Sequence, residues 1–307
     1  MIEVAIMLEG QNGLTWPRWQ RLAQAVEVLG FAGLYRSDHY TNANPPDKES
    51  LELWVSLTWL ASHTSRIEFG PLVTPVSFRQ PTMTARMASA VDDLSGGRLI
   101  LGLGAGWQER EHHNYDWPLL DVPGRFARFT EGLDIITHLL QNEAALDYEG
   151  SYYRLHEAVL LPRPQRPGGP PILIGGNGPK LTLPRVAQYA SEWNAVYISA
   201  SEFRVLNAQL DELLQQRGRE PHTVRRSLMT RVEMGDAAAL QAKFAHSSHS
   251  LDELRERGLV LGTANQIVQQ LGRLAEAGVQ RVMLQWLDLD DLDGLEAFAH
   301  TVLPQLA

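Results

Sequence analysis

Short apolar runs alternate along this chain with longer stretches whose apolar residues recur every three or four positions, the mark of strands alternating with amphipathic helices. "VAIMLEG" reads as a first strand and the segment from about Trp16 to Leu29, stopped by Gly30, as the first helix. "GLYRSDH", "RIEFGPLVT" and "RLILGLGAG" read as the second, third and fourth strands. Between them, Leu51 to His63 and Pro81 to Leu94 have helical spacing, the latter with its proline in the first turn. "GRFARFTEGLDIITHLLQ" is a strongly periodic fourth helix, and "ALDYEGSYYRL" fits two short strands turning at Glu149-Gly150. A proline-rich linker, "LPRPQRPGGPP", leads into "ILIGG", the fifth strand. Lys180 to Ala190 is helical, "WNAVYIS" is the sixth strand, and a helix capped at or near Ser201 runs to about Gln216.

"VRRSLMTRVEMG" is a seventh strand, and the polar, histidine-containing stretch from Asp236 to Gly258 reads as an insertion after it. Thr263 caps a helix to Ala277, "VQRVMLQW" is the eighth strand, and Leu292 to Leu303 is the last helix. Eight strand–helix units predict an α/β chain folded as a (β/α)8 TIM barrel, a single domain over residues 1–307 with an insertion after the seventh strand. An open doubly wound sheet is the competing arrangement. The barrel is favoured by the unit count and because no dinucleotide fingerprint follows the first strand.

Composition narrows the function classes. A hydrophobic share of 44% supplies ample core, and a formal net charge of −9 argues against a nucleic-acid partner, which demands clustered Lys and Arg. The absence of cysteine removes thiolate metal ligands and a cysteine nucleophile and fits a reducing compartment. "MIEVAIMLEG" has no basic leader, and no apolar run approaches the roughly 20 residues that span a bilayer. The expectation is a cytoplasmic protein with no membrane partner.

In a barrel the chemistry belongs at the C-terminal strand ends. The second strand ends in Ser37-Asp38-His39-Tyr40, where a carboxylate beside an imidazole can set its tautomer for acid/base work. Because adjacent strand residues point to opposite sides, one of Asp38 and His39 is alternatively only a support. The fifth strand runs into "GGNGPKL", which suits a single phosphate at Gly175, Gly176, Asn177 and Gly178, or is an ordinary tight turn. "GLGAGW" carries glycines at 102, 104 and 106 and is followed by no expected short helix. Its glycines allow a flat ring to approach the backbone, or relieve crowding inside the barrel. His112 and His113 are neighbours that diverge and HExxH is missing, so no metal is expected; a GxSxG elbow is also missing.

The string "LSGGRLILGLGAGWQEREHHNY" resembles the luciferase-like flavin and deazaflavin oxidoreductases, together with "SDHY", "TSRIEFGPLVTPVSFRQP" and "PPILIGGNGPKLTLPRVAQYASEWN" in the same order. The resemblance implies a cofactor ring across the barrel mouth. It also implies a non-proline cis peptide at Pro71-Leu72 or Leu72-Val73, with Thr74 nearby and the turn at Ala105 and Gly106 close to the ring. Asp38 and His39 match the Asp-His pair of the branch that uses coenzyme F420, where the histidine acts near the reacting carbon. Gly175 and Gly176 would hold the phosphate, helped by Tyr197 and Ser199. Trp107 stands where sugar-phosphate dehydrogenases of the branch carry glutamate, so an acid would come from Glu109 or Glu111, and the aromatic residues favour an apolar substrate. The implied activity is F420-dependent hydride transfer to or from a small organic molecule. The alternatives are an FMN-dependent monooxygenase fed by a separate cofactor reductase, and a barrel that binds flavin without turnover. A homodimer is usual in the family.

Overall fold

The computed structural model describes residues 2–306. Strand β1 (Glu3–Leu8) has every residue after Glu3 buried, as expected for a strand covered on both faces, and is followed by α1 (Trp16–Val28). β2 (Gly33–Arg36), α2 (Leu53–His63), β3 (Glu68–Pro71), β4 (Thr74–Pro75), α3 (Pro81–Ser95) and β5 (Leu101–Gly104) come next. A short helix, α4 (Glu109–Asn114), precedes the long α5 (Val122–Gln141), and β6 (Leu146–Glu149) with β7 (Arg154–Ala158) form an antiparallel hairpin. β8 (Ile172–Gly175), α6 (Thr182–Tyr189), β9 (Glu192–Val196), α7 (Ala200–Gln216) and the long β10 (Arg225–Met234) follow. The insertion folds as α8 (Ala237–Lys243) and α9 (Leu251–Glu256), ahead of β11 (Val260–Gly262). α10 (Ala264–Glu276), β12 (Arg281–Gln285) and α11 (Leu292–Thr301) complete the chain.

The main sheet has ten strands in the order β3-β2-β1-β12-β10-β9-β8-β5-β4, with β11 attached to β10. β3 and β4 are two halves of one barrel strand and β11 lies outside, which leaves eight parallel staves. The ring closes where Phe69 bridges Leu99: the Phe69 amide donates to Arg98 O at 3.1 Å and the Ile100 amide to Phe69 O at 2.8 Å. Glycine makes this seam possible. A Cβ on Gly70 would lie 1.9 Å from the Ile100 carbonyl oxygen, and one on Gly102 2.1 Å from that of Pro71.

Inside the ring, Ala5, Met7, Tyr35, Leu72, Ile100, Leu173, Met229 and Met283 fill the core. The N-terminal floor is a charge cluster built on Arg281, which is 2% exposed. Its guanidinium meets Glu3 and Glu68 at 2.6 Å and donates to the Tyr35 hydroxyl at 2.7 Å. The apolar faces of α1 (Trp19, Leu22, Val26) and α5 (Phe129, Leu133, Ile136) are buried in the hydrophobic core. The eight units fall where the periodicity puts them, with ends moved by one to three residues. Two elements differ from the expectation. α4 does follow "GLGAGW"; at six residues it is too short for periodicity to reveal. β11, just after the insertion, extends the sheet by pairing Val260 with Val232.

Candidate active site

The C-terminal strand ends surround a cavity of about 380 Å³. Met7, near the end of β1, and Met229, in the middle of β10, form part of its lining, and Leu72, Val73 and Pro75 line it where the third strand bulges. The Leu72-Val73 peptide in that bulge is cis. Val73 is wedged against β5, since a Cβ on Gly104 would sit 2.7 Å from its Cγ2. Phe78 and Trp107 supply aromatic lining, and Gly175 and Gly176 bring bare backbone to the end of β8.

His39 lies just beyond β2 and lines the cavity. Its Nδ1 is 2.9 Å from Glu111 Oε2, and the other Glu111 oxygen accepts the backbone amides of Tyr40 and, at 3.2 Å, Thr41. Glu111 is fully buried on α4, so this short helix both fixes the imidazole and anchors the turn that carries it. With Nδ1 donating to the carboxylate, the neutral ring presents Nε2 as an acceptor. Burial alone would lower the imidazole's pKa, but the hydrogen bond and charge of Glu111, with Glu9 and Asp38 behind them, carry it above its ordinary 6.5. Trp107 sets its indole edge-on to the imidazole, with ring centroids 5.6 Å apart and planes at 85°.

Asp38 points away from this site. Its carboxylate is paired with Arg79 and accepts the Thr74 hydroxyl at 2.5 Å. The tautomer of His39 is therefore set by Glu111, seventy-two residues away, and not by its neighbour in sequence. A second histidine, His112, also lines the cavity. Its Nδ1 donates to Gln108 O at 2.7 Å and its Nε2 accepts from Ser77 Oγ at 2.8 Å; burial lowers its pKa, so it is neutral. Across the mouth runs a polar chain. The Tyr197 hydroxyl bonds Gln285, Gln285 donates to Glu9 at 2.6 Å, Gln11 donates to Glu9 at 2.9 Å, and Ser37 donates to Gln11 at 2.8 Å. Burial, reinforced by the charge of Glu9, pushes the Tyr197 phenol up to about 12, which leaves it a neutral hydroxyl.

The sequence matches the family described as luciferase-like monooxygenase over residues 2–251, most of the chain. The chain belongs to this family. It is 32% identical over 181 residues to an F420-dependent glucose-6-phosphate dehydrogenase of Kineococcus radiotolerans, an alignment covering 58% of this chain and 51% of the relative. It is also 32% identical over 200 residues to a 5,10-methylenetetrahydromethanopterin reductase of Archaeoglobus fulgidus, covering 63% and 53%. The match thus spans about half the length of these two relatives. Among solved structures, an F420-dependent secondary alcohol dehydrogenase in complex with an F420-acetone adduct superposes with a TM-score of 0.85 at 18% identity, covering 100% of this chain and 99% of that one. EDTA monooxygenase from Chelativorans sp. BNC1 superposes at 0.83 and 16% identity, covering 99% and 93%. At such identities the superpositions speak for the shared barrel.

Within this luciferase-like barrel, the sequence candidates divide. His39, Leu72, Val73, Gly106, Glu111, Gly175, Gly176 and Tyr197 all line the cavity. Asp38, Thr74, Ala105, Asn177, Gly178 and Ser199 do not. Thr74 bonds Asp38, and Ala105 is half-buried beside the turn. Asn177 clamps the Val196 backbone with its side chain, at 2.7 and 2.9 Å. Ser199 caps α7 in a box with Glu202. Glu109 is exposed and outside the lining. The Gly176 amide is already committed to Asn194 O at 2.9 Å, whereas the amides of Asn177 and Gly178 make no hydrogen bond among the described residues. Of the glycines in "GLGAGW", Gly102 and Gly104 relieve crowding against the third strand, and only Gly106 reaches the cavity. Met7, Glu9, Phe78, Asn194 and Met229 line the site without having been singled out, and His112 does so after being weighed only as a metal ligand. Of these, Glu9 lies near the C-terminal end of a predicted strand; Met7, Asn194 and Met229 lie within predicted strands and Phe78 and His112 beyond them, so nothing local marked them.

Proposed function

We propose that this chain is an F420-dependent oxidoreductase that moves hydride between the deazaflavin and a small, uncharged organic substrate. The observation that carries the reading is His39, whose Nδ1 is tied to Glu111 so that Nε2 is left as the acceptor on the cavity wall. The relatives named as F420-dependent support it.

The residues present fit the cofactor. The apolar bulge at Leu72-Val73 offers a flat ring a backing surface, and the side-chain-free stretch at Gly175-Gly176, beside the unengaged amides of Asn177 and Gly178, suits an anionic arm. When bound, F420 supplies a two-electron hydride carrier. The protein's part is proton handling and exclusion of water. In the oxidising direction neutral His39 takes the substrate's proton at Nε2 as hydride leaves, and in the reducing direction the imidazolium returns it. Glu111 stabilises that imidazolium without touching the substrate. Met7, Phe78, Trp107 and Met229 keep the site apolar. The ionisable groups in its lining are Glu9, His39, Glu111, His112 and Tyr197, and among the described residues no Lys or Arg lines the cavity. A phosphorylated substrate would therefore meet carboxylates without a balancing cation, so the reading excludes sugar phosphates.

Titrating the protein separately with F420 and FMN, following ring absorbance and fluorescence, tests the proposal. Tight F420 binding with weak FMN binding is expected. The reverse preference would move the assignment to an FMN monooxygenase served by a separate reductase, and binding of neither would remove it.

A further inference from the structure

Arg79 lies outside the cavity lining, yet it is the most heavily engaged charged side chain near it. It sits between β4 and α3, in the segment that brings the third strand to its helix. One guanidinium nitrogen pairs with Asp38 Oδ2 and donates to Thr74 Oγ1 at 3.1 Å. The other donates to Asp38 Oδ1 at 3.2 Å, to the Tyr40 hydroxyl at 2.9 Å and to Glu52 at 2.7 Å. These partners belong to three separate pieces of chain. Asp38 and Tyr40 flank His39, Thr74 directly follows the Leu72-Val73 bulge, and Glu52 is the N-cap of α2. The pairing is well shielded, with Arg79 and Asp38 side chains 13% and 2% exposed.

We propose that Arg79 is a positioning residue that joins the His39 turn to the third-strand bulge, so that the imidazole and the ring-backing wall hold one fixed separation. Two carboxylates then fix the turn, one through α4 and the other through Arg79. Glu111 holds its amides and the His39 ring from α4, and Asp38 is pulled by Arg79 toward the bulge. The geometry needs arginine in particular. A lysine ammonium supplies charge and three donors from one atom, whereas the planar fork reaches Asp38, Thr74, Tyr40 and Glu52 at once. A donor and an acceptor that exchange hydride and a proton must stay aligned within a fraction of an ångström, which gives such a tether a purpose beyond stability.

The F420 arm of the test rests on the function proposed above, so a second arm needs no cofactor. Three variants are compared with the parent: Arg79→Ala, Arg79→Lys, and Thr74→Val, which keeps shape and charge and cuts the links from both Asp38 and Arg79 to the bulge. The first measurement is the histidine Nδ1–H resonance by NMR, where a ring proton donated to Glu111 exchanges slowly with water. The second is the F420 dissociation constant, taken well below each variant's unfolding midpoint. We expect the His39 Nδ1–H signal to be lost to exchange in R79A and retained in R79K. F420 binding should weaken at least tenfold in R79A and by a few fold in R79K and T74V. If R79A fails to fold, R79K and T74V carry both measurements. Variants that unfold at lower temperature but keep the parent resonance and the parent dissociation constant would overturn the proposal and leave Arg79 a purely structural ion pair. If the parent does not bind F420, the function reading fails, while the resonance still decides whether Arg79 holds His39.

Discussion

Replacing Glu111 by glutamine should do more than weaken a contact; it should move a proton from one side of a ring to the other. One oxygen of Glu111 accepts from the Tyr40 and Thr41 amides, and the second faces His39 Nδ1 at 2.9 Å. A glutamine must keep its carbonyl on the two amides, because its NH2 there would meet donors. Its NH2 is then turned toward His39, whose Nδ1 becomes an acceptor and whose proton moves to Nε2. A hydrogen bond to a charged partner contributes about 1.5–3 kcal/mol, so the imidazolium population at fixed pH should fall roughly ten- to hundredfold. The assay is ¹⁵N-histidine NMR across the neutral pH range, which reads tautomer and titration midpoint together. Because Glu111 raises the folded-state pKa, its contribution to stability is full below the ordinary 6.5 and is lost as pH rises through the folded value. The stability gap between parent and E111Q should therefore narrow from mildly acidic to alkaline pH. An E111Q protein that keeps the parent midpoint and tautomer would refute the assignment of Glu111 as the group that sets His39.

Three further outcomes follow from the geometry. His39→Ala should lower hydride transfer by about 10²–10⁴-fold, the usual worth of a positioned acid/base, with F420 affinity changed by less than about threefold; stopped-flow absorbance and fluorescence titration read the two separately. Gly102→Ala places a methyl 2.1 Å from the Pro71 carbonyl oxygen and should cost about 1–3 kcal/mol in urea unfolding, with weaker F420 binding as the bulge shifts. Arg281→Met leaves the floor carboxylates short of a partner and should cost about 3–5 kcal/mol while leaving the F420 dissociation constant unchanged. It should also flatten the acid limb. Burial tends to raise Glu68, but Arg281 and Arg225 hold it below its ordinary 4.5, so that stabilisation is present above this pH and disappears as pH falls through the folded value.

The sequence carried the barrel because each of its eight strand–helix units is a local signal: a buried parallel strand is continuously apolar, and its helix is amphipathic over several turns. The site was legible wherever a strand end or a glycine marked it, as at His39 and Gly175. What escaped was every relation between distant segments. The Asp38–His39 adjacency suggested a dyad, yet the strand turns Asp38 toward Arg79, and nothing local announces a partner forty-one residues away. The Tyr197–Gln285–Glu9 chain joins β12 to the segments beyond β9 and β1, which become neighbours only once the barrel closes. Glu111 was visible as an acid near a strand end. Its role as the ring's anchor depended on α4, whose six residues show no period.

That helix has a consequence for how the protein can diversify. Trp107, which faces the cavity, lies on the same few residues as Glu111 and His112, so selectivity and proton chemistry are inherited together on this side of the mouth. Recombining or randomising residues 107–112 would alter both traits at once. The wall formed by Tyr197 and Glu9 sits on separate segments and makes no direct contact with the Glu111 carboxylate. A lineage, or a library, that samples new substrates at Tyr197 leaves the Glu111 anchor of His39 in place, whereas Glu9 also lends its charge to the imidazole, so directed evolution should yield active variants at Tyr197 far more often than on α4.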